Sequence, residues 1–105
     1  MRIIETPNFT RRLKSLLSDE EYRELQNSLI ADPEAGNVIR GSGGIRKLRW
    51  AGSGKGKRGG VRVIYHWFRG EEIILMLLVY SKNEQDDLTP EQLKTLRKLV
   101  ESEFK

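Results

Sequence analysis

Between residues 36 and 70 the chain carries nine cations and no carboxylate: Arg40, Arg46, Lys47, Arg49, Lys55, Lys57, Arg58, Arg62 and Arg69. The remaining residues hold ten cations against fifteen acids, so the net charge of +4 conceals a strong segregation. Segregation of this kind points to a polyanionic partner. Its densest part is GSGKGKRGGVR, residues 52–62. Gly54, Gly56 and Gly59 meet the G-x-G-x-x-G spacing, but a dinucleotide turn needs a helix directly after it, and VRVIYHWF reads as a strand. No P-loop pattern occurs either. What these glycines do offer is close approach of a phosphate to main-chain N–H groups.

A second polar group, Lys82, Asn83 and Glu84, directly follows the longest apolar run. A rigid strand end can hold such side chains in place; the plainer reading is a polar loop before a helix cap. His66 has the chemistry of a general base, but as a lone histidine in mid-strand it reads as a surface or half-buried residue. With one histidine and no cysteine, thiolate and His-rich metal sites are excluded. Chemistry without metal or cofactor, or no chemistry, is the default.

The elements that must position these groups follow from periodicity and capping. MRIIE opens as a short strand. Thr6-Pro7 starts a helix whose face is Phe9, Leu13, Leu16 and Leu17. Ser18-Asp19-Glu20-Glu21 is a capping box for a second helix, with Tyr22, Leu25, Leu29 and Ile30 as its apolar face and Asp32-Pro33 as its stop. The two form an αα-hairpin. After a loop over residues 33–44, IRKLRW is a strand with Ile45, Lys47 and Arg49 on one face and Arg46, Leu48 and Trp50 on the other. VRVIYHWF is the next strand, Arg69-Gly70-Glu71 a turn, and the run Ile73 to Tyr80 a strand covered on both faces. Thr89-Pro90-Glu91-Gln92 caps a final helix with Leu93, Leu96, Leu99, Val100 and Phe104 on its face. The order β-α-α-β-β-β-α implies an α+β fold with a mostly antiparallel sheet and helices on one face.

At 105 residues the chain is expected to form one domain, residues 1–105. Its longest apolar run, eight residues, falls short of the roughly 20 that span a bilayer, and the N-terminus lacks the pattern of a signal peptide. A soluble cytoplasmic protein is the expectation.

Hairpin geometry gathers Lys47, Arg49, Lys55, Lys57, Arg58 and Arg62 onto one edge of the sheet, with no carboxylate nearby in sequence. Such a cluster repels itself unless an anion binds it. The alternative is a hairpin loop whose cations are simply solvated. Trp50, Tyr65 and Trp67 have rings that could stack on bases; core packing is the plainer reading for Trp50 and at least one of the others.

The strings GNVIRGSGGIRKLRW, GKGKRGGVRVIYHW and VYSKNEQDDLTPEQ together resemble the RelE/HigB superfamily of bacterial toxins, most closely the HigB branch with a Gly-Lys-Gly-Lys-Arg-Gly-Gly segment. The resemblance runs over essentially the whole chain and implies the small RelE-like fold. It implies a toxin of a type II toxin–antitoxin pair, a ribosome-dependent endoribonuclease that cleaves mRNA in the A site of the small ribosomal subunit. It also implies a HigA-like helix-turn-helix antitoxin as partner and no cofactor. Attack of a 2′-OH on the adjacent phosphate needs a base, an acid and charge stabilisation. On this resemblance Arg62 clamps the scissile phosphate, Lys57, Lys55 and Lys82 are the proton-transfer candidates, and Glu84 orients Lys82, acts as base or forms a structural ion pair. Lys47, Arg49, Arg58, Arg46 and Asn83 are the expected RNA and ribosome contacts. RelE has an arginine where Asn83 stands and a tyrosine where Thr89 stands, so Lys82 or Arg58 would supply the second phosphate contact. A ParE-like gyrase-inhibiting toxin and a non-catalytic RNA- or ribosome-binding module are the alternatives.

Overall fold

The structure is a computed structural model that describes residues 1–51 and 60–103. The elements are β1 (Arg2–Glu5), α1 (Pro7–Leu16), α2 (Asp19–Ala31), β2 (Asn37–Val38), β3 (Arg46–Trp50), β4 (Val61–Phe68), β5 (Ile73–Ser81) and α3 (Pro90–Ser102). The five strands form one sheet in the order β1-β5-β4-β3-β2. β1 runs parallel to β5, and every other pairing is antiparallel. This is the expected α+β fold with one added strand. The two residues of β2 are too few to show alternation in sequence, and they sit where a plain loop is expected.

Local chemistry sets the helix starts. The Thr6 hydroxyl accepts from Phe9 N at 3.1 Å and donates to the Leu77 carbonyl at 2.9 Å, so one residue caps α1 and ties it to β5. Ser18 and Glu21 complete a capping box on α2, and Thr89 and Gln92 complete another on α3.

The helices do not share one face of the sheet, as the sequence suggests. α1 and α2 cover one side, with Phe9, Leu17, Leu25 and Leu29 packed on Val63, Tyr65, Ile74, Met76 and Val79. α3 lies on the other, with Leu96, Leu99 and Val100 against the cluster of Ile45, Ile64, Leu75, Leu77 and Leu78. The physical reason is β5, buried from Ile73 through Tyr80, which must be covered twice. A bulge between Ile64 and Tyr65 shifts the β4–β5 register. Leu77 and Leu78 consequently both belong to the α3-side core. Ile30, expected on the buried face of α2, is instead 45% exposed at its last turn. Phe104 lies outside the described residues.

β3 keeps the alternation expected of it. Leu48 and Trp50 pack with the α1 and α2 side, and Ile45 is buried on the α3 side. Where β3 and β4 meet, Gly60 (φ +61°) passes so close to the opposite strand that a Cβ there would lie 2.3 Å from the Trp50 carbonyl oxygen. Only glycine closes this neck. Gly60→Ala is therefore expected to destabilise the fold by about 2 kcal/mol or more, read as a lower urea midpoint with unchanged m-value.

Candidate polyanion cleft

Strand register builds the site. Arg49 on β3 lies opposite Arg62 on β4, and Arg62 lies opposite Tyr80 on β5. Lys47, two residues before Arg49, faces Ile64 in the same row. α3 covers the apolar part of this face and leaves its polar end open. There a cleft of about 270 Å³ is lined by Lys47, Arg49, Arg62, Lys82, Asp86 and Asp87. Arg62 is buried, at 5% exposure, while Arg49 and Lys82 are open to solvent. Lys82 is the first residue after β5, and its N–H lies 3.5 Å from the Gly60 carbonyl. The neck between β3 and β4 thus adjoins the end of β5.

Four of the expected site residues, Lys47, Arg49, Arg62 and Lys82, come together in this cleft. Lys55, Lys57 and Arg58 lie outside the described residues. Ala51 and Gly60, the described residues on either side of them, adjoin the Trp50–Val61 pair.

The other candidates go elsewhere. Arg46 points to the opposite face, as the alternation of β3 requires, and donates to the Gly36 carbonyl at 2.7 Å and the Glu34 carboxylate at 3.4 Å. It holds the segment leading into β2. Asn83 is exposed in the turn after β5 and is not among the lining residues. Glu84 turns toward α1, where it pairs with Arg12 and accepts from Ser81 N at 3.1 Å. The Arg12 guanidinium and the Ser81 amide hold its carboxyl below the ordinary range. Arg12 also donates to the Val79 carbonyl at 2.9 Å, so it clamps both β5 and the turn that presents Lys82. Nothing in the sequence signals that pairing across 72 positions.

His66 lies four residues along β4 from Arg62, with its ring edge-on to Phe68 at 4.6 Å. Burial lowers its pKa, which favours the neutral ring at pH 7. Trp50, Tyr65 and Trp67 all belong to the α1 and α2 side. The Tyr65 hydroxyl donates to the Pro33 carbonyl at 2.7 Å, and the Arg69 guanidinium sits 4.9 Å above the Trp67 ring. None of the three reaches the cleft.

The cationic site is not free of acids, as its sequence neighbourhood suggests. Asp86 and Asp87 enter from the loop after β5, and Lys47 forms an ion pair with Asp87. The hydrogen bond from Lys47 lowers the Asp87 pKa, with Arg49 and Arg62 adding to the effect. Tyr80, buried beside Arg62, has its hydroxyl pKa raised first by burial and then by Asp87. These three residues escape a reading by sequence neighbourhood, because strand pairing, bulge included, brings them to Arg62. Among the described residues no three metal-ligating side chains form a group. The arrangement is suited to holding a phosphodiester: a buried guanidinium with three more cations around it, adjoining a glycine-closed neck.

A family model described as the RelE toxin of the RelE/RelB toxin–antitoxin system matches residues 1–105. Among solved structures, the intact E. coli RelBE toxin–antitoxin complex resembles this chain with a TM-score of 0.59 at 15% identity, covering 76% of this chain and 94% of the other. An E. coli RelE double mutant in the free state gives a TM-score of 0.57 at 16% identity, with coverage of 81% and 86%. The archaeal RelE–RelB complex from Pyrococcus horikoshii gives 0.52 at 22% identity, with coverage of 80% and 97%. At these identities the structural likeness establishes the fold.

The Arg12 clamp has a pH signature. Because the Glu84 pKa is lowered, the contact contributes stability above the ordinary carboxylate range and loses it as pH falls through the lowered value. Arg12→Ala should raise the Glu84 titration midpoint toward that of a free glutamate, followed by NMR of the side-chain carboxyl carbon.

Proposed function

The chain belongs to the RelE family of toxins from toxin–antitoxin systems, and from that membership and the cleft we propose that it is a ribosome-dependent mRNA endoribonuclease acting in the cytoplasm. The observation that carries this reading is the cleft itself. Arg62, buried beside Arg49 with Lys47 and Lys82 on the same walls, forms a site for one phosphodiester of RNA.

In the reaction the 2′-OH attacks the adjacent phosphorus, the bond to the 5′ oxygen breaks, and a cyclic phosphate forms. Arg62 binds the non-bridging oxygens, and its charge counts for more because the group is largely shielded from water. Lys82 and the loop lysines Lys55 and Lys57 are the candidates to take the 2′ proton and return one to the leaving oxygen. Arg49, Lys47 and Arg58 hold flanking phosphates. Among the described residues the cleft sets four cations against two carboxylates, a balance unfavourable for a divalent ion, which supports chemistry carried by side chains alone. Glu84 serves this scheme through Arg12, as a positioning residue for the turn that carries Lys82.

The solved relatives that are RelBE and RelE–RelB complexes support a cognate antitoxin as partner, and we propose a HigA-like, helix-turn-helix one. Ribosome and mRNA are the targets.

Mapping of mRNA 5′ ends on programmed ribosomes tests the reading. Wild-type protein should cut mRNA in the A site and leave naked RNA largely intact. Arg62→Ala should lower cleavage at least about a hundredfold while ribosome binding survives. Loss of binding together with cleavage would favour a binding module, and DNA damage with intact mRNA would favour a gyrase-directed toxin. His66→Gln should leave the cleavage rate within about twofold, because the ring lies outside the cleft.

A further inference from the structure

Two carboxylates share the cleft with its four cations, and no step of the proposed reaction uses them. Asp86 lines the wall. Asp87 does more: its carboxylate is paired with the Lys47 ammonium and lies near enough to Arg49, Arg62 and Tyr80 for its charge to bear on each. An anion touching one cation of the cleft and close to two others stands where a bound phosphate oxygen would stand.

We propose that Asp87 is a built-in substitute for an RNA phosphate, holding Lys47 in the free protein and giving it up when a phosphodiester enters the cleft. The inference rests on the reading of this cleft as a phosphodiester site.

The loop is built for such an exchange. Its backbone is fixed at several points. Glu84 N and Gln85 N donate to the Ser81 carbonyl, and Arg12 holds the Glu84 carboxylate. The Gln85 amide donates to the Asp87 carbonyl at 2.9 Å and to Gln92 of α3 at the same distance. The Asp87 side chain is 76% exposed, so it can swing into water while the loop stays in place. An ion pair that open to solvent is weak and easily exchanged. A phosphodiester meets Arg62 and Arg49 as well as Lys47 and so displaces it. Self-occupation lowers affinity for any single stray phosphate. It favours RNA already held in place at other points, as a ribosome-bound message is.

The test is binding, separate from cleavage. A short RNA with 2′-deoxy sugars at its central positions cannot be cut, and its affinity for the full chain is read by fluorescence anisotropy at low and moderate salt. Asp87→Asn should bind about three- to tenfold tighter than wild type at low salt, with the gain shrinking as salt rises. Glu71→Gln makes the same charge change in the exposed turn between β4 and β5, remote from the cleft, and should gain far less. Equal gains in both variants would reduce the effect to net charge and overturn the proposal. No gain in Asp87→Asn, or weaker binding, would overturn it as well, the latter making Asp87 a ligand of the RNA. If Asp87→Asn binds more tightly but wild-type protein cuts no ribosome-bound mRNA, the nuclease reading falls and this one stands. If mRNA is cut and Asp87→Asn changes nothing, the reverse holds.

Discussion

Two like charges face each other across a strand pair: Arg49 on β3 and Arg62 on β4. Directly opposed cations destabilise a sheet, and burying one of them adds a desolvation cost. Apolar packing on both sides of the sheet holds the two strands that carry this pair. Val61, Val63, Ile64 and Tyr65 anchor the same strand in both cores, and β5 beside it is buried along nearly its whole length. Apolar packing thus holds β4, and with it the backbone that carries Arg62. A phosphate bound between the two guanidiniums would offset their repulsion.

Much of this frame was legible in the residues. The capping boxes at Ser18 and Thr89, the alternation of β3 and the double-sided burial of β5 all follow from local pattern, and each is present. The alternation that sets Lys47 and Arg49 against Arg46 also separates the cleft from the strut that holds Gly36. What sequence could not supply depends on register. A bulge at Ile64 and Tyr65 decides which β5 residue meets Arg62, and no local pattern marks it. Asp87 and Arg12 enter through contacts 40 and 72 positions away, where proximity in sequence carries no information. The placement of helices on both faces could have been read from β5, because a strand buried on two sides cannot be covered from one.

Supports and reacting groups are kept apart in the architecture. Arg12, Gln85 and Gln92 hold the turn after β5 from α1 and α3, outside the cleft wall. The turn that presents Lys82 is thus held by groups other than the cations that face the cleft.

The parallel pairing of β1 with β5 has a bearing on when the cleft is completed. Arg2 meets Ile73 and Glu5 meets Met76, so the first strand has no seat until β5 exists. Pairings that distant form late, because the intervening chain must be closed before they are rewarded. Lys82 follows β5 directly and Asp87 lies in the loop after it, so the sheet closes and the cleft gains its last walls in the same stretch of synthesis. The charged cavity is thus complete only once β5 and the loop behind it have been made. A partner that captured the chain at that moment would meet the cleft just as it formed.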